Sequence, residues 1–440
     1  MNHSQKMHIY NLFPLLAGKF SQWGGHMKRA AEMGFNWIFV NPIQALGPSG
    51  SLYSISDYFS INPAFLDEKG RKPAKEQVRD MVDEARGMGL RMMTDLVVNH
   101  CSTDSELLKT HPEWFQWDSK GHVMHPFALE DGKKVVWKDL AKFNYGINGR
   151  GKGKKKVQPA KDGEGLYRFF ESVVEDLIRM GFEAFRCDAA YQVPKSFWER
   201  LLKETRQRHP QVLFLAETLG CPPEQTRRTA AAGFDYIFNS SKWWDFKSPW
   251  LVEQYTLTRE IAPSISFPES HDTERLAQEL DGSVEGLKQH YLFSALFSAG
   301  VMISMGFEFG FRKRLHVVNT TPEDWEETGI DLRGFIRKVN EIKASHGLFE
   351  EESPTAVLPY ENRNLLVMWK ASASDSEESL LILNKDFKEK QYFSAEAVQQ
   401  FLQSGAAVAD ISPEYRLDYV AAPFEYDLRP GQGILFITQT

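Results

Sequence analysis

The stretch PAKEQVRDMVDEARGMGLRMMTDLVVNH, residues 73–100, contains one complete unit of the pattern that decides the fold. Its first part, from Pro73 to Gly89, has the apolar spacing of an amphipathic helix and ends on glycine, a residue favoured at helix C-termini. Residues 90–100 follow as an apolar run that is typical of a buried strand and that ends in polar residues. The stretch therefore predicts a helix that turns directly into a buried strand.

The same order of helix and strand recurs along residues 8–345. Strands are predicted at 8–14, 36–42, 90–100, 182–187, 211–216, 234–239, 264–268 and 301–305. Helices are predicted at 20–34, 73–89, 165–180, 195–208, 222–232, 246–261, 283–299 and 330–345. Eight strand–helix units are the number in a (β/α)₈ TIM barrel. An open doubly wound sheet, the structural alternative, would need a Gly-rich phosphate turn and a six-strand grouping, which this sequence lacks.

Two segments interrupt the alternation and predict further domains. Residues 101–164 are rich in Lys, Gly, Asp and Trp and are too long for an ordinary loop, so we expect an inserted domain there. From about residue 349 the pattern changes to a period of two, which is typical of antiparallel strands. We therefore expect a barrel formed by residues 1–100 and 165–348, and a C-terminal antiparallel β-sandwich domain at 349–440.

Composition excludes several classes of protein. With 42% hydrophobic and 25% charged residues, the chain has the profile of a soluble globular protein. A net charge of −7 gives no general attraction to nucleic acid or to an anionic membrane. Three cysteines without metal-type spacing indicate reduced thiols, and neither a signal peptide nor a membrane-spanning segment is recognisable. We expect a cytoplasmic protein, and we predict no oligomeric state.

Charged and polar side chains follow four of the predicted strands. These residues are Asp95, Asn99 and His100 after strand 3, Arg186 and Asp188 after strand 4, Glu217 after strand 5, and Glu269, His271 and Asp272 after strand 7. Catalytic groups of TIM barrels lie where the strands end, at the C-terminal face. Helix capping, the alternative for an acidic residue at such a position, explains one ending but not four together.

This set of residues has the chemistry needed to cleave a glycosidic bond with retention of configuration. That reaction requires a carboxylate nucleophile and a protonated carboxylic acid about 5–5.5 Å apart. Asp188 suits the nucleophile, because we expect Arg186 beside it to keep it ionised. Glu217 follows an apolar run and suits the acid, since burial raises the pKa of a carboxyl group. Asp272 and the two histidines then offer hydrogen bonds to sugar hydroxyls.

The motifs DLVVNH (95–100), FRCDAA (185–190), LAET (215–218) and SHD (270–272) together resemble the four signature regions of the α-amylase superfamily, glycoside hydrolase family 13. The resemblance extends over roughly residues 8–345. It implies that Asp188 is the nucleophile, Glu217 the acid/base and Asp272 the stabiliser of the transition state. It also implies that Asp95 is a buried acid with a structural role.

The segment SLYSISDYFSINPAF (51–65) resembles the loop after strand 2 in this superfamily. The resemblance implies that Tyr53 stacks on the sugar beside the nucleophile and that Asp57 is its companion. Aromatic contact with the apolar face of a sugar is the physical basis of such stacking. The predicted substrate-binding residues are Tyr53, Asp57, His100, Arg186 and His271.

The sequence also departs from the superfamily pattern. Tyr191 and Gln192 stand where many α-amylases have a Lys-His pair that serves downstream subsites and calcium. Asn99 could supply one oxygen ligand, but the inserted segment lacks an obvious acidic cage for a hard cation. We therefore expect no bound calcium and no other cofactor. Ser270 replaces the usual Asn before the His-Asp pair.

The segments HPEWFQWDSKG (111–121) and EFGFRKRLHVVNTTPEDWEETGIDL (308–332) resemble the bacterial maltosyl-transferring branch of the superfamily. That branch lengthens α-1,4-glucans with maltose 1-phosphate. Two basic segments, residues 149–157 and 312–314, could contact a phosphate or could simply be solvated; for 149–157 we favour solvation. Trp243 and Trp244 could contact glucan or could pack beneath the strand-6 loop.

We therefore expect a retaining enzyme that acts on α-glucosidic bonds, with α-1,4 linkages favoured, either as a hydrolase or as a transglycosylase. Its substrate would be an α-glucan or a maltooligosaccharide. One alternative is a maltosyltransferase that uses maltose 1-phosphate and an α-1,4-glucan. The other is a non-catalytic carbohydrate-binding scaffold, although such proteins usually lose the nucleophile or the acid, and Asp188 and Glu217 are both present.

Overall fold

The computed structural model describes residues 6–67, 72–130, 133–146, 163–373 and 377–438. Eight parallel strands close into a barrel in which each strand pairs with its neighbour in the chain and the last pairs with the first. The barrel strands are β1 Met7–Leu12, β2 Trp37–Val40, β3 Arg91–Leu96, β4 Ala184–Cys187, β5 Leu213–Glu217, β6 Tyr236–Phe238, β7 Ser264–Ser266 and β8 Gly300–Ser304. The TIM-barrel prediction is confirmed.

A major helix follows each barrel strand along the chain. These helices are α1 Phe20–Glu32, α2 Ala74–Gly87, α3 Gly163–Arg179, α4 Lys195–Arg208, α5 Pro223–Ala230, α6 Trp250–Thr258, α7 Val284–Phe297 and α8 Arg333–Ser345. Short helices also occur at Pro14–Ala17, Leu107–Thr110 and Leu276–Glu279. Their apolar faces belong to one large core that they share with the outward side chains of the barrel strands. No helix in the described part of the chain is long and apolar enough to cross a membrane.

The register between strands determines which charged side chains become neighbours. In the parallel pairing of β3 with β4, Asp95 lies opposite Arg186. Side chains that are paired across neighbouring strands lie on the same face of a sheet, while residues next to each other in a strand point to opposite faces. Asp95 and Arg186 are therefore brought together, whereas Phe185 and Cys187 belong to the core between the barrel and the helices.

Short antiparallel ribbons extend from the strand ends. Gln44–Leu46 pairs with Ile55–Ile61 after β2. After β3, His100–Ser102 pairs with Leu140–Lys142, and Phe127–Glu130 pairs with Lys133–Val136. The first of these two ribbons holds residues 140–142 against the start of the inserted segment, next to the end of β3. The predicted basic loop at 149–157 lies outside the described residues.

The C-terminal region forms two antiparallel sheets. Its strands are β9 Thr355–Leu358, β10 Leu365–Ala371, β11 Glu378–Asn384, β12 Gln391–Ala395, β13 Val408–Asp410, β14 Phe424–Leu428 and β15 Gly433–Thr438. The five-stranded sheet has the order β9-β10-β11-β15-β13, and β12 pairs with β14. A separate apolar cluster, which includes Val367, Phe393 and Phe436, joins the two sheets. The predicted antiparallel C-terminal domain is confirmed, and the predicted domain boundaries stay predictions.

Candidate active site

A single buried guanidinium group, that of Arg186, is surrounded by four carboxyl groups at the ends of the barrel strands. Its Nη1 lies 2.5 Å from Asp95 Oδ1 and 3.7 Å from Asp188 Oδ1. Its Nη2 lies 3.3 Å from Glu217 Oε2 and 3.6 Å from Asp272 Oδ2. The structure thus brings together, around one cation, the three residues predicted as catalytic.

Arg186 lies within ion-pair distance of Asp188, as expected, but the hydrogen bond of its guanidinium is with Asp95. Burial raises the pKa of Asp188 well above its ordinary value, and the nearby Glu217 carboxylate adds to this increase while Arg186 opposes it. Burial also raises the pKa of Glu217, again against the effect of Arg186. One cation cannot balance four carboxylates, so Asp188 and Glu217 favour sharing a proton.

Asp272 differs from these two acids. Burial alone would raise its pKa, but His271 and Arg186 outweigh burial and lower the pKa to about 2. His271 Nε2 lies 3.0 Å from Asp272 Oδ2, and the Asp272 side chain is 43% exposed. The site therefore keeps a permanently ionised carboxylate at its open side.

Tyr53, predicted to stack on a sugar, is tied into the same site through its hydroxyl group. The hydroxyl donates to Asp95 Oδ2 at 2.8 Å and accepts from Asn41 Nδ2 at 2.9 Å. The ring lies parallel to that of His271, with centroids 5.9 Å apart, and the hydroxyl is 2.7 Å from His271 Nε2. The position of the Tyr53 ring is thereby fixed from three sides.

Two asparagines that support this site were not among the predicted residues. Asn41, just after β2, donates to Tyr53, and Asn11, within β1, donates from Nδ2 to Asn41 Oδ1 at 3.0 Å. Both side chains are completely buried. They follow the same rule as the other site residues, since each is a polar residue at the end of an apolar barrel strand. Applying that rule to strands 1 and 2 would have identified them.

His100 and Asp57, two further predicted residues, have different surroundings. His100 is buried, and burial lowers its pKa to about 4, so the ring is neutral at physiological pH. Its Nε2 has no hydrogen-bond partner among the described residues. Asp57 is exposed and accepts hydrogen bonds from Phe59 N at 2.9 Å and Ser60 Oγ at 2.6 Å. Arg186 and the four carboxyl groups around it, those of Asp95, Asp188, Glu217 and Asp272, are called the Arg186 group below. Within the described residues nothing connects Asp57 to the Arg186 group.

The residue after Asp188 has an unusual backbone. Ala189 adopts a left-handed conformation, with φ 43° and ψ 40°, although it has a side chain. Such strain costs on the order of 1–3 kcal/mol and persists only where the surroundings enforce it. Here it directs the Ala189 N–H to Glu217 Oε2, at 2.7 Å. This hydrogen bond links the segment that carries Asp188 directly to Glu217, the other predicted acid of the pair.

A buried ion pair fixes the loop that carries Asp272. Glu269, at the start of this loop (residues 269–276), accepts hydrogen bonds from Arg275 Nη1 at 2.6 Å and from Leu276 N at 2.8 Å. Arg275 also donates to the carbonyl oxygen of Met305, after β8, at 2.8 Å. The two ends of the loop are therefore joined to each other and to the neighbouring strand, with Asp272 between them.

The basic residues 312–314 each have an acidic partner. Arg314 Nη1 lies 3.1 Å from Glu274, and Arg312 Nη1 lies 3.6 Å from Asp281. Lys313 forms an ion pair with Asp324. A phosphate bound here would have to compete with these carboxylates. Arg314 is nevertheless next to the site, because its Nη2 donates to the Asp272 carbonyl oxygen at 2.9 Å.

The residues around Asn99 do not suit calcium. Asn99 Nδ2 lies 3.3 Å from Gln192 Oε1, and the ammonium group of Lys142 lies 3.4 Å from the same oxygen. A lysine ammonium at this position repels a divalent cation, and hard cations need several oxygen ligands. The described residues contain no cluster of three or more His, Cys, Asp or Glu that could hold a metal. That the protein binds no calcium stays a prediction.

The two tryptophans after β6 have opposite environments. Trp244 is buried, with its ring centroid 4.9 Å from that of Phe293 and 5.1 Å from that of Phe246. Trp243 is 50% exposed, and its ring approaches Gly220, in the loop that follows Glu217. Of the two interpretations, packing therefore applies to Trp244, whereas Trp243 presents an open aromatic surface near the site.

This contrast gives a testable prediction. We expect Trp244→Ala to lower the free energy of unfolding by about 3–5 kcal/mol, because it leaves a cavity in the core. Trp243→Ala should leave stability unchanged and raise KM for maltoheptaose by a factor of about 2–10, the loss of one aromatic contact with a sugar. Thermal unfolding and steady-state kinetics of both variants check this. An unchanged KM in Trp243→Ala would show that this ring does not contact the substrate.

Known proteins resemble this chain both in sequence and in fold. Residues 3–131 match the family model for the glycogen debranching enzyme, glucanotransferase domain. An α-1,4-glucan:maltose-1-phosphate maltosyltransferase from Burkholderia pseudomallei (strain K96243) is 24% identical over 384 residues, which are 84% of this chain and 32% of the relative. The enzyme of the same name from Arcanobacterium haemolyticum is 27% identical over 266 residues, 56% of this chain and 35% of the relative. The chain spans about a third of the length of these relatives.

Among solved structures, the α-amylase from Geobacillus thermoleovorans complexed with acarbose superposes with a TM-score of 0.75. It is 16% identical, and the superposition covers 99% of this chain and 98% of the other. At this level of identity the likeness concerns the fold alone, and it includes both the barrel and the C-terminal domain.

Proposed function

We propose that this chain is a member of the α-amylase superfamily that cleaves α-1,4-glucosidic bonds by a retaining mechanism and transfers the glycosyl group. The observation that carries the proposal is the convergence of Asp188, Glu217 and Asp272 on one buried guanidinium, that of Arg186. An acid pair that shares a proton, beside a permanently ionised carboxylate, has the components of a retaining glycosidase.

In the first step, the Asp188 carboxylate attacks the anomeric carbon of the bound sugar. Glu217 carries the shared proton and donates it to the glycosidic oxygen. The bond between the anomeric carbon and that oxygen breaks as the ester bond to Asp188 forms, and the leaving sugar departs with the proton. The raised pKa of Glu217 favours the protonated form that this step requires.

In the second step, Glu217 acts as the base. It removes a proton from the hydroxyl group of an acceptor, which attacks the anomeric carbon and displaces Asp188 as a carboxylate. Two inversions at one carbon give net retention. Transfer to the 4-hydroxyl group of a glucan makes a new α-1,4 bond, whereas attack by water gives hydrolysis.

The other residues stabilise positive charge on the sugar or bind its hydroxyl groups. The ionised Asp272 favours the oxocarbenium-like transition state, since it is an anion next to the developing cation. Arg186 limits the repulsion among the carboxyl groups. The unpartnered Nε2 of buried His100 suits a sugar hydroxyl, because buried polar atoms require hydrogen-bond partners.

Maltose 1-phosphate is the second candidate donor, which the similarity to two maltosyltransferases favours. Phosphate would leave as the Asp188 ester forms, and the maltosyl group would then pass to a glucan.

A reducing compartment, the cytoplasm, is the proposed location, because Cys101, Cys187 and Cys221 are all buried and unpaired.

Product analysis after incubation with maltoheptaose, with and without inorganic phosphate, tests the proposed function. Longer oligosaccharides next to shorter ones would support transglycosylation, and shorter ones alone would indicate a hydrolase. Maltose 1-phosphate that forms only with phosphate would establish the second candidate. Unchanged maltoheptaose under all conditions, as in the Asp188→Asn control, would contradict the proposal and favour a carbohydrate-binding scaffold.

The pKa of Glu217 leads to a prediction for pH dependence. Burial raises this pKa above its ordinary value of 4.5, so the protonated acid persists at higher pH than an exposed Glu would allow. We expect kcat/KM for maltoheptaose to stay high beyond the usual carboxyl range and to fall as pH rises through the raised pKa. A pH–rate profile measures this. A fall that begins at the ordinary carboxyl value would contradict the assignment of Glu217 as acid.

A further inference from the structure

A cavity of about 420 Å³ lies between the barrel helices and the C-terminal domain, away from the Arg186 group. Its walls include Glu285 and Lys288 of α7, Phe335 of α8, Lys388, Lys390, Tyr415 and residues 429–433. Its volume lies within the range of about 300–1,000 Å³ that is usual for small-molecule sites, which also occur preferentially where domains meet.

The net charge of this cavity is positive, because four cationic side chains line it against two acidic ones, Glu285 and Glu414. Lys388, Lys390 and Arg429 line it, and none of the three has an ion-pair partner within the described ranges of the chain. Lys288 is paired with Glu414 at 2.7 Å. Three unpaired cations in one concave surface are notable in a protein of net charge −7, and they contrast with residues 312–314, each of which has an acidic partner. A concave cationic surface concentrates anions.

An aromatic side chain in a strained conformation borders the same cavity. Tyr415 has a φ of 54°, in the left-handed region that bulky residues avoid, and its side chain is 52% exposed. The guanidinium carbon of Arg429 lies 4.2 Å from the centre of its ring. Strain of this kind is unfavourable and often marks a ligand site. An exposed aromatic ring beside cations suits a ligand with both an apolar face and a negative charge.

The walls of the cavity are held at short distances. A Cβ atom at Gly431 would lie only 2.6 Å from the carbonyl oxygen of Glu285, so glycine is required for this turn to approach α7. Gly431 also has a φ of 63°, and its N–H donates to the Asp386 carbonyl oxygen at 2.9 Å. Gln289 of α7 donates to the Asn384 carbonyl oxygen at 2.6 Å. The cavity is therefore a fixed feature of the junction between barrel and C-terminal domain.

We propose that this cavity binds a phosphorylated sugar. The phosphate group contacts Lys388, Lys390 and Arg429, and the apolar face of the sugar ring packs against Tyr415. Charge-assisted hydrogen bonds to phosphate provide the affinity, and the aromatic contact distinguishes a sugar phosphate from phosphate alone. The proposal goes beyond the proposed function and does not depend on it, because no residue of the Arg186 group lines the cavity.

Calorimetric titration with glucose 6-phosphate at low ionic strength tests this proposal. Glucose 6-phosphate has no leaving group at its anomeric carbon, so turnover does not disturb the measurement. We expect glucose 6-phosphate to bind more tightly than inorganic phosphate or glucose. Its binding should be at least about tenfold weaker in Lys388→Ala/Lys390→Ala, since that variant loses two charge-assisted hydrogen bonds to the phosphate. Both lysines are exposed, so this variant should fold normally and keep its turnover of maltoheptaose.

Arg363→Ala is the matched control, because Arg363 is an exposed cation of the C-terminal domain that does not line the cavity. It should bind glucose 6-phosphate as the unmodified protein does. Absence of binding heat, or equal affinity in the double-lysine variant, would overturn the proposal. Equal affinity for inorganic phosphate and glucose 6-phosphate would overturn the assignment of a sugar. Turnover of maltoheptaose, measured in parallel, tests the proposed function separately.

Discussion

Replacing Asp188 by Asn is expected to reduce turnover of maltoheptaose by a factor on the order of 10⁵, the scale seen when an enzyme loses its nucleophile. An amide cannot form the ester with the anomeric carbon that the retaining mechanism requires. The same change should leave the thermal stability unchanged or increase it. Asp188 is a buried acid with a raised pKa in a group that has one cation for four carboxyls, so its removal relieves repulsion.

Product chromatography and thermal unfolding of Asp188→Asn check both parts of this prediction. Asp57→Asn is the matched control: it makes the same chemical change at an exposed carboxylate outside the Arg186 group. It should keep most of the activity, and a loss as large as that of Asp188→Asn would place Asp57 in the catalytic machinery. Substantial turnover by Asp188→Asn would mean that another residue is the nucleophile.

The barrel could be predicted from sequence because its elements are determined by local patterns. Helix α4 was predicted at residues 195–208 and is observed at Lys195–Arg208, where Pro194 precedes the first turn. Strand β6 was predicted at residues 234–239 and is shorter, at Tyr236–Phe238. Apolar spacing identifies an element, whereas pairing with neighbours determines where a strand ends.

The residues of the site could be predicted because polar side chains follow apolar strands. The hydrogen bonds that these side chains make with one another could not be predicted. Arg186 was expected to pair with Asp188, two residues away, and does so at 3.7 Å, but the register of β3 against β4 also places Asp95 opposite it, at 2.5 Å. That register arises from the closure of the whole barrel and leaves no signal in either strand. The separation of Asp57 from the site, and the contact of Asn41 with Tyr53, likewise depend on how distant segments fold together.

Replacing Glu217 by Gln should separate the two chemical roles of the acid pair. We expect turnover of maltoheptaose to fall by about 10²–10⁴-fold, the usual contribution of general acid–base catalysis. The first step with α-maltosyl fluoride should keep most of its rate, because fluoride leaves without a proton. The Gln carbonyl oxygen can still accept the Ala189 N–H that now bonds to Glu217 Oε2 at 2.7 Å, so the site should keep its shape.

Parallel kinetics with both substrates test this prediction, and Glu199→Gln is the control, since Glu199 is an exposed glutamate of α4 that forms an ion pair with Lys195. An equal loss on the two substrates would contradict the assignment of Glu217, because a group that only transfers a proton matters little when the leaving group needs none. The fall in kcat/KM at high pH that is expected with maltoheptaose should be absent with α-maltosyl fluoride, because that substrate needs no protonated acid. A fall at the same pH on both substrates would mean that the titrating group does not act by protonating the leaving group, and it would contradict the assignment of Glu217 as the acid.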